Sequence, residues 1–164
     1  MAFVVGIDPG SRITGYGVVE RCGRDVVYIG SGIIRAEGSK PRHERLLRIK
    51  EKLDEMLKSF NPVSMAVEKI FMAKNPKSTL VLGEVRGVIL LSAAEIGIPV
   101  YEYTPREVKS SVVGVGAAHK SQVAAMISRL LKLDHEPETA DETDALAVAF
   151  CHVLRESGIA GRLS

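Results

Sequence analysis

An unbroken apolar run near the start of the chain ends on a carboxylate, and this feature limits the possible folds more than any other. Phe3 to Ile7 shows no alternation of polar and apolar residues, so it predicts a strand that is buried on both faces of a sheet. Asp8 lies at the end of this strand, and Pro9-Gly10 then indicates a turn. Because Asp also favours the start of turns, this segment alone leaves Asp8 as either a turn residue or a functional acid.

The rest of the chain predicts an α/β fold with the element order β-β-β-α-β-α-β followed by three helices. Three hairpin-connected strands are antiparallel, and crossovers through helices favour parallel pairing of the last two. We therefore expect a mixed five-stranded sheet flanked by helices, in one domain spanning 1–164. The later strands are predicted at 16–20, 25–35, 63–68 and 99–103, and the helices at 41–60, 78–97, 105–113, 120–133 and 141–158.

Composition excludes several classes of protein. There is no charge-free apolar stretch of about 18 residues and no basic N-terminal segment with an apolar core, so neither a membrane span nor a secretory signal is predicted. Cys22 and Cys151 form no paired motif, which argues against a disulfide framework and a zinc site. We expect a cytoplasmic protein.

The net charge is only +2, but the basic residues are clustered. Segment 69–77 carries three lysines and no acid, and segment 104–120 carries one arginine and two lysines against one glutamate. Basic loops of this kind are either solvated surface or contacts for a polyanion, and the clusters alone leave both alternatives open.

Four acids occur where the predicted fold can bring them together. Asp8 and Glu68 each terminate a buried strand, and in open α/β sheets functional groups gather at strand ends. Asp141 and Asp144 are three residues apart and so share a helix face.

The helical pair has a structural explanation that covers only one of its members. Thr139 and Glu142 have the spacing of a capping box, and an acid in the first turn, such as Asp141, favours the helix dipole. Asp144 instead shares its face with Val148 and Cys151, which we expect to lie against the sheet. A carboxylate on that face needs a cation or hydrogen-bond donors to offset its desolvation.

Oxygen ligands without cysteine suit Mg²⁺ or Mn²⁺ better than zinc. Two such ions held about 4 Å apart can activate water and stabilise a leaving oxygen, which predicts phosphodiester hydrolysis. The candidate ligands are Asp8, Glu68, Asp141 and Asp144.

Four stretches, taken together and in order, resemble one family. They are GIDPGSRITGYGVVE, VEKIFMAKN, PREVKSSVVGVGAAHKSQV and DETDALAVAFCH. They are similar to the bacterial Holliday-junction resolvases, the crossover-junction endodeoxyribonucleases of the RuvC family, and the resemblance runs nearly end to end. It implies a ribonuclease-H-like fold, a homodimer, and paired Mg²⁺-dependent incisions in opposed strands of a four-way DNA junction.

The resemblance also implies roles for particular residues. The four acids become the catalytic ligands of two Mg²⁺ ions, for which Mn²⁺ can substitute. Phe71 matches an aromatic residue that stacks on bases near the crossover, and Lys109 and Lys120 match lysines that contact DNA. We expect further DNA contacts from the neighbouring basic residues Arg12, Lys74, Lys77 and Arg106. The family also implies cooperation with a branch-migration complex, consisting of a junction-binding tetramer and a hexameric motor.

Two positions depart from the pattern of the family. Lys69 follows Glu68 where a glutamine is commoner, and Glu142 lies between the two aspartates where small residues are usual. Neither departure removes a ligand. We expect Lys69 to change local pKa values or a DNA contact, and Glu142 to alter metal affinity weakly.

The segment LGEVRGVILLSAA is too apolar for a helix with a single buried stripe. Gly83 and Gly87 lie one turn apart and would permit close approach of a partner helix. This predicts a dimer interface that also includes Leu90, Leu91 and Ala94. The alternative interpretation is that this segment forms a central helix buried in the core.

Three other functions are compatible with parts of the sequence. An actin-like ATPase begins with a similar acid-bearing hairpin, but 164 residues without a later glycine-rich adenosine site leave no room for its two domains. A related nuclease acting on structured RNA and a catalytically inactive junction-binding module are the other two. The intact set of acids argues against the inactive module.

Overall fold

The computed structural model describes residues 2–70 and 75–158. Five strands form one sheet in the order β3-β2-β1-β4-β5. The strands are β1 Phe3–Asp8, β2 Ile13–Cys22, β3 Asp25–Arg35, β4 Ser64–Glu68 and β5 Val100–Tyr103. The helices are α1 Arg42–Phe60, α2 Pro76–Ile96, α3 Pro105–Val113, α4 Lys120–Leu130 and α5 Ala140–Glu156.

The predicted mixed sheet is confirmed. β1, β2 and β3 pair antiparallel, and β4 and β5 add to the other side of β1 in parallel. Most differences from the predicted bounds lie at element ends. The largest at any one end are of three residues: β2 begins earlier than predicted because Ile13 to Gly15 already pair with β3, and α4 ends at Leu130 instead of 133.

Each face of the sheet is covered by a separate layer of helices. Val4 points into a core shared with α3, α4 and α5, whereas Val5 and Ile7 point into a core shared with α1 and α2. Val5 and Ile7 are completely buried, so β1 is covered on both faces as its apolar run predicts.

Helix ends are fixed by local signals in the sequence. Asn75 caps α2, where its side chain accepts from Lys77 N at 3.0 Å, and Gly97 ends that helix in the left-handed region. The predicted capping box of α5 is present: Thr139 Oγ1 accepts from Glu142 N at 3.2 Å, and Glu142 Oε2 accepts from Thr139 N at 3.1 Å. None of the described helices is long and apolar enough to cross a membrane.

Candidate active site

Strand register brings Asp8 and Glu68 to the same edge and the same face of the sheet. β1 and β4 run parallel with Ile7 opposite Val67, so the two acids end adjacent strands. Side chains alternate between faces along a strand, and Asp8 therefore shares the side of Val4, which packs in the core beneath α5. Glu68 shares that side with Ala66 for the same reason.

Glycines allow α5 to lie very close to this face. A Cβ added to Gly6 would lie 2.1 Å from Ala145 O, and one added to Gly15 would lie 2.1 Å from Asp141 O. Gly17, which pairs with Gly6 across the hairpin, would meet the Leu146 side chain at 2.7 Å. The first turns of α5 therefore approach the end of β1 at backbone distance, which carries the helical acids toward Asp8.

The charges at this edge act strongly on one another. Burial, the largest cause, and repulsion from the carboxylates of Glu68, Asp144 and Asp141 together raise the pKa of Asp8 to about 8, although the charge of Lys120 lowers it in part. Burial and Asp144 likewise raise the pKa of Glu68. Four partly buried acids in mutual repulsion form a site that a cation would stabilise.

Two lysines face the same acids. Lys120 Nζ lies 3.2 Å from Asp144 Oδ2, and this contact raises the pKa of Lys120. Lys109 and Lys120 line a cavity of about 180 Å³ together with Glu68 and Asp144. The structure therefore brings both predicted lysines to the acidic edge.

The donor set fits a hard divalent cation, because it consists of carboxylate oxygens whose repulsion a positive ion would relieve. As the side chains stand, no three acids, cysteines or histidines among residues 2–70 and 75–158 converge closely enough to hold an ion. Occupation of the site would therefore require the carboxylates to draw together from their present positions.

Neither departure from the family pattern faces the acids. Glu142 is buried, where it accepts from Ser31 Oγ at 3.2 Å and closes the cap of α5. Lys69 is exposed. The backbone N–H of Thr104 is the main cause that lowers the pKa of Glu107, and the positive charge of Lys69 adds to this lowering. The hydrogen bonds of Glu142 argue against a direct effect of its charge on metal affinity, whereas the charge of Lys69 does act on the pKa of a neighbouring acid.

The other predicted DNA contacts are spread more widely. Arg12 and Lys77 are exposed and line a second cavity, of about 220 Å³, between the β1–β2 turn and the start of α2. Arg106 is exposed at the start of α3, where its side chain covers Gly116. Phe71 and Lys74 lie outside the described residues.

Arg45 was not predicted from the sequence as a functional residue, yet it lines the second cavity beside Arg12 and Lys77. In the sequence it belongs to the charged face of an amphipathic helix, and nothing there distinguishes it from its neighbours. Arg45 is distinguished from the other charged residues of α1 only by the packing of this helix against the β1–β2 turn.

The predicted interface residues of α2 lie on its outer side. Gly83, Gly87, Leu91 and Ala94 are exposed, and Leu90 is half-buried. Space beyond both glycines is open, since a Cβ added to either would have no described heavy atom within 4 Å outside the helix's own nearby backbone. Val85 and Ile89 instead face the core, so α2 covers the sheet with one side only.

Comparisons with known proteins agree with this geometry. Residues 4–152 match the family described as crossover junction endodeoxyribonuclease RuvC. A protein of that name from Pseudomonas savastanoi pv. phaseolicola is 47% identical over 159 residues, covering 97% of this chain and 90% of the relative. Another from Tolumonas auensis is 50% identical over 152 residues, covering 93% and 87%.

Solved structures show the same likeness. Thermus thermophilus RuvC in complex with a Holliday junction substrate superimposes with a TM-score of 0.91 at 33% identity, over 98% of each chain. The yeast mitochondrial Holliday junction resolvase Ydc2 has a TM-score of 0.65 at 14% identity, covering 98% of this chain and 84% of Ydc2, which shows a shared fold alone.

Proposed function

The chain belongs to the RuvC family of crossover junction endodeoxyribonucleases, and from that premise we propose which of its residues cleave the junction. It is an endonuclease that resolves Holliday junctions, the four-way DNA intermediates of recombination and repair. The gathering of four carboxylates around Asp8, whose pKa is raised to about 8, is the observation that supports their catalytic role. Burial and mutual repulsion have no evident benefit for stability at this edge.

Asp8, Glu68, Asp141 and Asp144 would hold two Mg²⁺ ions, and Mn²⁺ would substitute for them. When bound, the ions supply an activated water and stabilise the leaving oxygen of a phosphodiester. The chain itself places Asp8 and Glu68 on rigid strand ends and the other two acids on a helix held by glycine packing. Rigid elements of this kind confine the movement to the side chains, which would draw together around the ions.

Basic residues around the acids bind the sugar-phosphate backbone. Lys109 and Lys120 lie nearest to the cleavage site because they share its cavity. They reduce the repulsion between the acidic edge and DNA. More distant contacts come from Arg12, Lys74, Lys77 and Arg106, and Phe71 stacks on an unpaired base at the crossover.

A homodimer forms through the outer side of α2. Leu80 and Leu91 are 66% and 51% exposed there, and Gly83 and Gly87 lie between them on the same stripe. Exposed apolar side chains next to glycines allow two copies of the helix to pack closely. Two-fold symmetry then directs two active sites to opposed strands.

The chain acts in the cytoplasm as one domain over 1–164, together with a branch-migration complex composed of a junction-binding tetramer and a hexameric motor. The basic residues around the acids support action on DNA.

Cleavage assays with Mg²⁺, Mn²⁺ and no metal test the proposal on four-way DNA, duplex DNA and structured RNA. We expect paired, metal-dependent cuts in the four-way DNA only. Preferential cleavage of the RNA would favour the RNA nuclease, and binding of four-way DNA without cleavage would favour the inactive module. Hydrolysis of ATP with no cleavage would favour the actin-like alternative.

A further inference from the structure

A basic cavity lies beside the acidic edge but does not include any of the four acids. Among the described residues it is lined by Ser11, Arg12, Arg45, Lys77, Ser78 and Val81. Its three cations come from three separate elements: the β1–β2 turn, helix α1 and the start of helix α2. The lining contains no acidic residue among those described, so its charges are not neutralised from within.

Arg45 gives this cavity a fixed donor. Its Nη2 donates to the carbonyl oxygen of Ser11 at 2.7 Å, which fastens the guanidinium to the β1–β2 turn. Its Nε is buried and has no hydrogen-bond partner among the described residues. A buried N–H without an acceptor is costly, so this group favours a ligand that carries an acceptor.

The other two cations of the cavity are available. Arg12 and Lys77 are exposed, and within the described part of the chain neither forms an ion pair. Arg42, on the adjoining face of α1, is by contrast paired with Glu84. The charge of Arg42 is therefore neutralised by its partner, whereas the charges of Arg12 and Lys77 remain free at the cavity.

The start of α2 supplies a further preference for anions. Asn75 Oδ1 accepts from Lys77 N at 3.0 Å, which fixes the first turn, and Lys77 and Ser78 lie in that turn. The positive end of the helix dipole thus points toward the same space as the three cations.

We propose that this cavity binds one phosphate group of the DNA backbone, with Arg45 as its anchoring donor beside Arg12 and Lys77. The inference rests on the proposed function and deepens it, because it assigns a second phosphate position to the strand that is cut. Ser11 follows Asp8 by three residues, so their Cα atoms are at most about 11 Å apart. A phosphate in the cavity would lie within a few nucleotides of the scissile one.

Such a site would fix the register of the strand. A phosphate held beyond the acids would limit sliding along the DNA, and it would do so through contacts that carry no base information. Loss of the site should weaken junction binding and spread the cut over neighbouring positions.

Arg45→Gln is the central variant, and Arg48→Gln is its matched control. Arg48 lies one turn later on the same helix, is 53% exposed, and does not line the cavity. In metal-free buffer, we expect the log–log salt dependence of junction binding to become less steep by about one unit for each phosphate contact that Arg45→Gln removes. Arg48→Gln should retain the wild-type slope. Equal slopes for the two variants would overturn the proposal.

Arg45→Gln could also weaken binding by disturbing the fold, because Arg45 donates a hydrogen bond to the β1–β2 turn. Two further variants distinguish this effect from the loss of a phosphate contact. Arg12→Gln and Lys77→Gln remove charge without breaking a described hydrogen bond of their side chains. Each should flatten the slope in the same way and keep the wild-type melting temperature. If both retain the wild-type slope, the cavity is not a phosphate site.

A titration of the DNA-free protein with inorganic phosphate separates this inference from the proposed function. The Arg45 Nε–H resonance should shift with added phosphate, and Lys77→Gln should weaken that shift. A resonance unaffected by phosphate would contradict the site even if the protein cleaves junctions normally. A shift at Arg45 in a protein that does not cleave junctions would leave the site standing and reject the proposed function.

Discussion

Lys120 Nζ lies 3.2 Å from Asp144 Oδ2, and this ion pair joins the start of α4 to the acidic edge of the sheet. The Lys120 side chain is 79% exposed, so solvent screening leaves the pair little weight in folding stability. Its consequence is local: a movable positive charge lies where the acids would otherwise repel the phosphates of an approaching strand.

Charge reversal at the two lysines of this cavity should weaken DNA binding. Lys120→Glu and Lys109→Glu each add a negative charge beside Glu68 and Asp144, and each removes a phosphate contact. Junction binding should weaken, and its salt dependence should flatten by about one unit of slope for each lost contact. Lys52→Glu on α1, where Lys52 pairs with Glu55 at 2.7 Å, is the control that should keep the wild-type slope. Unchanged slopes in both cavity variants would separate these lysines from the DNA.

Neutralising the acids should abolish cleavage but leave binding measurable. Asp8→Asn, Glu68→Gln and Asp144→Asn each remove a charged oxygen ligand while the basic residues around the site remain. Strand scission in Mg²⁺ or Mn²⁺ and junction affinity in metal-free buffer are the two measurements. Asp25→Asn, at the start of β3, should cleave normally. Substantial nicking by Asp8→Asn would refute the assignment of Asp8 as a ligand.

The sequence predicts the element order and the acids because both depend on short-range patterns. An apolar run that ends on an acid predicts Asp8 or Glu68 at a strand end without any knowledge of the rest of the fold. A spacing of three likewise places Asp141 and Asp144 on one face of a helix. These inferences need only periodicity and chain direction.

Properties that depend on packing between distant segments could not be predicted in this way. Glu142 bonds to Ser31 across a separation of 111 residues, so its orientation away from the acids follows only from the docking of α5 on the sheet. Arg45 is one of several charged residues on α1, and only the contact with Ser11 distinguishes it. In the sequence, the glycines of β1 and β2 indicate only a flexible hairpin. Their role in the close approach of α5 follows from the packing of that helix on the sheet.

Gly6→Ala tests whether the close approach of α5 holds the site together. The added methyl group would lie 2.1 Å from Ala145 O and 2.6 Å from Ala149 N, so the helix or the strand must shift. Overpacking of this kind costs about 1–3 kcal/mol, and the free energy of unfolding from urea titration should fall by that amount. Cleavage should fall further than stability alone explains, because the shift separates Asp141 and Asp144 from Asp8.

Gly38→Ala is the matched control for this prediction, since no described atom lies within 4 Å of the added Cβ. It should change neither stability nor cleavage appreciably. If Gly6→Ala left both quantities at the wild-type level, the close packing of α5 on β1 would not be required for the site.

The outer side of α2 should control the oligomeric state. Leu91→Glu places a charge among exposed apolar residues that we expect to be buried between two subunits, and an unpaired buried charge is strongly unfavourable. Sedimentation should show a dimer for the wild type and a monomer for this variant. Leu47→Glu, at a residue 57% exposed on α1, should remain dimeric. A wild-type protein that is monomeric at micromolar concentration and still makes paired cuts would contradict the interface.

His152 should contribute a loss of stability in mild acid, opposite in sign to the contribution of Asp8. Its ring is buried between sheet and helix, where Nδ1 and Tyr103 Oη are 2.7 Å apart and Nε2 and Ser64 Oγ are 3.2 Å apart. Burial lowers its pKa from 6.5, although the carboxylate of Glu156 raises it in part. As pH falls below about 6.5 the unfolded chain binds a proton that the folded chain does not, so stability decreases until the pH reaches the lower pKa of the folded state.

Urea unfolding at a series of pH values between 8 and 5 should reveal this contribution as a difference in slope between the wild type and a variant without the ring. His152→Gln should be less stable than the wild type at pH 8, because packing and hydrogen bonds of the ring are lost, but this deficit should shrink as the pH falls. The comparison of the two proteins cancels the opposite contribution of Asp8, whose raised pKa stabilises the folded state as the pH falls. His43→Gln, at an exposed position on α1, should follow the wild-type curve. Parallel curves for His152→Gln and the wild type would show that His152 takes up its proton equally in the folded and unfolded states, contrary to the effect of its burial.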